Sequence, residues 1–149
     1  MNEHELSALL SDALRLCGGS GGDFSLGMAS ASLNGLDISL DHDTKLGRLI
    51  LWCGLLELPS TVDSGMWEAL LEANLLGART GGGHIGLYGP TRTLVFSLEL
   101  DTDGLDAPRL ASAFQRFTEK ASELIEESEA LNAKQSRFDT PFMSNVIWG

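Results

Sequence analysis

The sequence predicts an α+β fold, an antiparallel twisted sheet flanked by three helices in the order α-β-β-β-α-β-β-α. Apolar residues recur at helical spacing in three separate segments, and they alternate with polar residues in several of the stretches between. The chain has 149 residues, of which 43% are apolar. This length and composition predict one compact domain with little room for a second.

The first helix is predicted to begin after a cap at Asn2 and to end near Leu16. Gly18 can adopt the left-handed conformation that terminates a helix. The following GGSGGD, residues 18–23, is predicted to be a flexible connector, and residues 24–33 are predicted to enter a strand.

Two further strands and a second helix follow. LDISLD alternates in hydropathy, and HDTKLG turns the chain into RLILWCGLLEL, a more thoroughly apolar strand. Pro59 ends that strand, after which Thr61 or Asp63 can cap a helix. This second helix is predicted over residues 66–76 and ends at Gly77.

The last third of the chain predicts a hairpin and a long helix. HIGLY and TLVFSLEL read as strands joined across GPTR. Asp106 caps a third helix with Pro108 in its first turn and a single apolar face. The period is lost beyond residue 131, so residues 1–131 are predicted to form the domain and residues 132–149 a C-terminal tail, apolar enough to dock.

Charge and hydropathy exclude several classes of partner. The 10 basic and 21 acidic residues give a net charge of −11, which repels a phosphate backbone, so no nucleic acid is expected. The longest apolar run, residues 49–56, is far shorter than the roughly 18 residues that span a bilayer, so no membrane insertion is expected. The N-terminal MNEHELSALL is acidic rather than basic, which predicts a cytoplasmic protein without a secretory signal.

No catalytic, cofactor or metal site is predicted. Cys17 and Cys53 lie far apart in apolar surroundings and are interpreted as reduced thiols. The DHD triplet at residues 41–43 is interpreted as a solvated hairpin, because no distant ligands accompany it. His84 is interpreted as a surface or hydrogen-bonded histidine at the start of a strand.

Two glycine motifs imitate known sites. RTGGGHIGLYG contains Gly81-x-Gly83-x-x-Gly86, the spacing of a dinucleotide-binding loop. It follows a helix and leads into a strand, the reverse of the order in which a helix N-terminus can hold a pyrophosphate. Residues 18–22 match the G-x-S-x-G motif around Ser20, but they also follow a helix. Both are interpreted as turns.

The second helix is apolar on two sides, which predicts burial on two sides. One side can meet the chain's own sheet, so the other is predicted to pack against a second copy of the chain. Asn74 is predicted to hydrogen-bond a backbone group at that interface. The predicted homodimer interface comprises Met66, Trp67, Leu70, Leu71, Asn74 and Leu75.

Two stretches resemble a known family: WEALLEANLLGARTGGGHIGLYGPTRTLVFSLELDTDGLDAPRLASAFQRFTEKASEL and, before it, NGLDISLDHDTKLGRLILWCGLLELP. They resemble class I type III secretion chaperones of the Tir chaperone type. The resemblance covers most of residues 2 to 128 and rests on the order of elements, the acidity and the LLEANL segment together. The glycine-rich connector and the apolar tail depart from the family pattern.

This resemblance implies a homodimeric secretion-chaperone fold in the bacterial cytoplasm, with no enzymatic activity, no cofactor and no ATP use. It implies that the chain binds the N-terminal chaperone-binding region of a secreted effector and keeps that region ready for secretion. Extended cargo would insert apolar side chains into grooves and add backbone hydrogen bonds at a sheet edge. Alternation suggests five cargo-facing positions, each of which could instead belong to the core: Leu26, Met28, Ile50, Trp52 and Val95.

Two other functions stay open at this point. Proteins resembling this family can switch partners, so the chain could be a regulator that sequesters a transcription factor or another chaperone. A nucleotide-dependent enzyme would have to use Gly81, Gly83 and Gly86.

Overall fold

The structure is a computed structural model that describes the backbone of residues 1–148 and the side chains of residues 1–134. It contains three α-helices and six strands in the described part of the chain. The helices are α1 (Glu3–Cys17), α2 (Ser64–Asn74) and α3 (Ala107–Trp148). The strands are β1 (Ser20–Gly21), β2 (Met28–Leu33), β3 (Leu36–Asp43), β4 (Arg48–Glu57), β5 (His84–Tyr88) and β6 (Thr93–Asp101).

The strands form one antiparallel sheet in the order β1-β2-β3-β4-β6-β5. Helices α1 and α3 pack on each other and on one face of this sheet, and α2 contacts β5 at its edge. We call the face under α1 and α3 the covered face and the opposite one the open face. The predicted α+β class is confirmed, and one strand is added to the predicted order.

The added strand lies in the segment predicted to be a flexible connector, and that prediction is wrong. Ser20 and Gly21 pair with β2, and Gly22 extends the pairing by a hydrogen bond to Ser30. Glycine is required because β1 runs tightly over α1. A Cβ at Gly21 would lie 2.7 Å from the Leu14 side chain and 2.8 Å from the Ser30 carbonyl oxygen.

Polar side chains begin the helices as predicted. Asn2 forms a capping box with Glu5, and Gly18 ends α1 with a φ of 80°. Asp63 accepts from the Met66 amide at the start of α2, and Asp106 accepts from the Arg109 amide at the start of α3.

Helix α2 ends earlier than predicted. It stops at Asn74 and is followed by a 3₁₀ turn, Leu75–Gly77. Leu76 in this turn has a φ of 58°, a left-handed conformation that is costly for a leucine. The turn redirects the chain toward β5, so α2 has the predicted length but begins and ends two residues earlier than the apolar period suggests.

The core lies between the covered face and helices α1 and α3. Leu49 and Leu51 of β4 and Phe96 of β6 point into it and are essentially inaccessible. Phe117 of α3 stacks on Phe96 with ring centroids 5.0 Å apart. Burial of each such side chain contributes roughly 1.5–3 kcal/mol relative to exposure.

Helix α3 continues across the predicted boundary between residues 131 and 132. The division into a domain and a tail stays a prediction. The predicted docking of the tail depends on apolar side chains that lie outside the described residues, those of Phe138, Phe142, Ile147 and Trp148. Within the described residues, none of the helices combines the length and hydropathy needed to cross a bilayer.

Candidate functional site

The open face carries a groove where β4, β6 and β5 lie side by side. Strand alternation sends Ile50, Trp52 and Val95 to this face, opposite the core leucines. The groove has a volume of about 600 Å³. Its lining is Ile50, Trp52, Gly54, Gly86, Leu87, Tyr88, Thr91, Thr93, Val95 and Ser97.

A row of small residues makes the floor of this groove. Val95 pairs with Gly54 of β4 on one side and with Gly86 of β5 on the other. A Cβ at Gly86 would meet nothing within 4 Å, so the space above this row is open. Two glycines beside a valine therefore leave a depression between taller neighbours.

Aromatic side chains stand on either side of that row. Trp52 pairs with Ser97 on the next row, and its Nε1 donates to Asp41 of β3 at 3.3 Å. Tyr88 pairs with Thr93 on the opposite side and is 56% exposed. Large apolar surfaces kept partly in solvent beside a concave floor are typical of a binding site for another chain.

The predicted cargo-facing residues fall on this face to different extents. Ile50, Trp52 and Val95 come together in the groove. Met28 shares the face but lies on β2, paired with Asp41, and is 58% exposed. Leu26 is 89% exposed in the tight turn that connects Ser25 to Met28, so it lies beside the face rather than on it.

Sequence reasoning missed the glycine floor and the Tyr88 wall. Strict alternation in TLVFSLEL places Thr93 and Ser97 on the same side as Val95, so this part of the lining could be predicted from the sequence. The pairing of β4 with β6 could not be predicted, because more than thirty residues separate these strands in sequence. That pairing alone brings Gly54 beside Val95.

The predicted homodimer residues divide between two sides of α2. Met66 and Leu70 are 2% and 7% exposed and belong to the chain's own core, so they offer a second copy little surface. Leu71 and Leu75 are 70% and 67% exposed, and Trp67 is half-buried. These three, with the 93% exposed Leu76, form an apolar surface on α2 and the 3₁₀ turn after it, which the described chain leaves uncovered. We call this surface the outer face of α2.

The Asn74 side chain forms its hydrogen bonds within its own chain, whereas the prediction placed them at the homodimer interface. Its side-chain amide donates to the Ile85 carbonyl oxygen at 2.8 Å, and its oxygen accepts from the Ile85 amide at 2.7 Å. Ile85 is on β5, the edge strand, and these two groups point away from β6. Asn74 thus takes the place of a neighbouring strand at this position and shortens the free edge.

The glycine motif at residues 81–86 leads into a strand and opens no helix, as predicted. Gly81 and Gly82 lie in the turn before β5, whereas Gly86 lies within β5. Gly82 donates to the Gly77 carbonyl oxygen at 2.9 Å. Gly83 lies under the core, where a Cβ would be 2.6 Å from the Phe96 ring.

The other candidate chemical groups are dispersed. Ser20 is exposed in β1, and Asp43 of the DHD triplet accepts from the amides of Lys45 and Leu46 in a turn. Among the residues with described side chains, no three His, Cys, Asp or Glu groups come together as metal ligands. Cys17 and Cys53 are both free, and burial raises the pKa of the Cys53 thiol from 9.0 to about 11.

Solved structures share this architecture. A chain of the HopA1–SchA chaperone–effector complex has 20% identity and a TM-score of 0.61, and the match covers 85% of this chain and 96% of that one. A chain of the ExsC–ExsE complex has 15% identity and a TM-score of 0.69, covering 83% and 93%. The Yersinia pestis type III secretion chaperone SycH, in complex with a fragment of YscM2, gives 18% identity and a TM-score of 0.59, covering 79% and 98%. At these identities the likeness establishes the fold.

Sequence comparison supplies the family. No significant match is found among curated proteins. The pattern of the Tir chaperone protein (CesT) family matches residues 38–125, which span most of β3, all of β4, α2 and the β5–β6 hairpin, and the first half of α3. Because this match covers more than half of the chain, the protein belongs to the Tir chaperone protein (CesT) family, and its resemblance to type III secretion chaperones is confirmed.

Proposed function

We propose that this chain is a bacterial cytoplasmic chaperone that binds the N-terminal chaperone-binding region of a type III secreted effector without using ATP. The groove on the open face is the observation that carries the proposal. Two helices pack on the covered face of the sheet. Ile50, Trp52 and Val95 lie on the open face, where no helix of the described chain covers them. Solved structures of this fold include a chaperone bound to an effector, the HopA1–SchA complex.

The groove suits an extended, locally unfolded segment. It is open and shallow rather than enclosed, so a chain can lie across it and insert single side chains. Ordering such a segment costs conformational entropy, which several modest apolar contacts can offset. Met28, on the same face beyond Asp41, extends the available surface toward the β2 edge.

We further propose that the chain is a homodimer formed through the outer face of α2. Trp67, Leu71 and Leu75 follow one another at four-residue spacing, so they form one apolar stripe. A two-fold axis lets the same stripe pack on itself, burying both copies at once. This arrangement leaves the groove free for cargo.

The homodimer is tested with a charge placed on that stripe. We expect Leu71→Glu to halve the mass measured by light scattering, because it buries an unpaired carboxylate in the interface. The matched control is Leu46→Glu, since Leu46 is 64% exposed in the β3–β4 turn and lies outside the stripe. A Leu71→Glu variant that keeps the wild-type mass contradicts this interface.

The chaperone function is tested by co-expression with the N-terminal region of a candidate effector. We expect a stable complex that contains one cargo segment per homodimer and survives gel filtration. Co-purification of a transcription factor or another chaperone in its place would favour a partner-switching regulator. Binding of NAD or ATP in calorimetry would favour the alternative function, a nucleotide-dependent enzyme.

A further inference from the structure

We infer that the segment bound in the groove is basic as well as apolar. It places a large apolar side chain over the Gly54–Val95–Gly86 floor, and a nearby Lys or Arg of the same segment pairs with Asp41. This inference rests on the proposed chaperone function and specifies the chemistry of the cargo. It combines the shape of the groove with the charge of the face around it.

The floor accepts one large side chain. Trp52 and Tyr88 bound the depression on two sides, and neither Gly54 nor Gly86 fills it. Leucine, isoleucine, methionine or phenylalanine can cover Val95 and contact both aromatic walls. Each apolar contact of this kind removes surface from water on both partners.

The open face around the floor is strongly acidic. Alternation along β3, β4 and β6 directs six carboxylates and one cation to this face. The cation, Arg48, is already paired with Glu99 at 2.7 Å. The carboxylates are Asp37, Asp41, Asp43, Glu57, Glu99 and Asp101.

Asp41 connects this charge to the groove. Its Oδ2 accepts from Trp52 Nε1, which holds the carboxylate beside the groove wall. A carboxylate has about four acceptor positions, so one weak bond from an indole leaves room for a Lys or Arg of the cargo. Val95 and Asp41 are separated by two strand-to-strand spacings and by four residues along β4. An extended segment therefore needs about three to five residues to reach from one to the other.

The same charges disfavour α2 of a second copy in the groove. Leu71 is exposed on α2, and the exposed Leu75 and Leu76 directly follow it. The sequence of α2, SGMWEALLEAN, contains Glu68 and Glu72 and no basic residue. Seating that helix over the groove would bring these glutamates toward Asp41 and Glu57. Like charges at an interface lower affinity, whereas basic cargo is attracted.

Three synthetic peptides of equal length and identical apolar residues test the inference, with Lys, Gln or Glu at every polar position. Calorimetry on the full chain should show the Lys peptide binding about tenfold or more tighter than the Glu peptide, with an affinity that falls as salt rises. Trp52→Ala should weaken the Lys peptide about tenfold or more by removing a wall of the groove.

Asp41→Asn isolates the charge, because its amide oxygen can still accept from Trp52. We expect about a two- to fivefold loss for the Lys peptide and no change for the Gln peptide. Asp103→Asn, in the turn after β6, is the matched control and should change neither. Equal binding of the Lys and Glu peptides, no binding of the Lys peptide, or an unaltered affinity in Trp52→Ala overturns the inference.

Two results separate this inference from the proposals on which it depends. An effector segment that co-purifies although the peptides show no charge preference refutes only the inference. Loss of the homodimer in Trp52→Ala would place a second copy in the groove and refute it as well. Failure of every candidate effector to co-purify counts against the chaperone function itself.

Discussion

The two faces of the sheet are built from the same strands, but one is buried and the other is accessible. On β4, Leu49 and Leu51 are inaccessible on the covered face, whereas Ile50 and Trp52, which alternate with them, stay half-exposed. On β6, Phe96 is buried while its neighbour Val95 lines the groove. Residues of similar hydropathy therefore serve stability on one face and are available for binding on the other. The difference comes from the helices, which cover one face only.

The sharpest way to break this comparison is to truncate neighbours on opposite faces. We expect Phe96→Ala to lower the free energy of unfolding by about 3–5 kcal/mol, since it removes the stack with Phe117 and leaves a cavity. Val95→Ala, one residue away, should cost about 1 kcal/mol or less because Val95 is half-exposed. Urea unfolding of both variants measures the difference, and equal losses would mean that the open face is part of the core.

Adding a methyl group to either of two glycines in the residue 81–86 motif tests the same comparison. Gly83→Ala should destabilise the fold by about 1–3 kcal/mol, because the new methyl group would meet the Phe96 ring and the Ser97 carbonyl oxygen at 2.6 Å. Gly86→Ala should change stability by about 0.5 kcal/mol or less, since the space above it is open. Thermal unfolding distinguishes them. A tolerated Gly83→Ala would show that the covered side has spare room.

Asn74 marks the boundary between the faces, at the sheet edge. Asn74→Ala removes both hydrogen bonds to Ile85 and should cost about 1–2 kcal/mol in urea unfolding. Gln115→Ala, on the exposed side of α3, is a control that should be neutral. If the two variants unfold alike, the pairing of Asn74 with β5 contributes nothing to the edge.

The effect that is smallest at neutral pH concerns the thiols. Because burial raises the pKa of Cys53 from 9.0 in the unfolded chain to about 11, the folded state holds the proton more tightly. The stability from this group is therefore complete below pH 9 and declines as pH rises toward 11. At pH 8 we expect a thiol reagent to modify Cys17 before Cys53. Faster labelling of Cys53 in the native chain would contradict its burial.

Sequence patterns were sufficient wherever the determinants were local. The caps at Asn2, Asp63 and Asp106 and the hairpin from HIGLY to TLVFSLEL follow from neighbouring residues. The β1 strand was missed because GGSGGD has the composition of a linker, and only its contact with Leu14 explains why glycines are needed.

The candidate site was predicted in part for a similar reason. Alternation placed Ile50, Trp52 and Val95 on the face opposite the core leucines, but it could not place β4 beside β6 or identify Gly54 and Gly86 as a floor. On α2, periodicity found two apolar stripes without showing which of them the core takes. The structure assigns Met66 and Leu70 to the core and leaves Leu71 and Leu75 outside.

The measurement that tests the central claim most directly is light scattering of the Trp52→Ala chain co-expressed with the N-terminal region of its effector, beside the wild type. The open face is proposed to hold cargo and the outer face of α2 a second copy. We therefore expect Trp52→Ala to remain at twice the 16.0 kDa chain mass and to lose the cargo that the wild type retains. A Trp52→Ala homodimer that keeps its cargo as the wild type does would contradict the assignment of the groove.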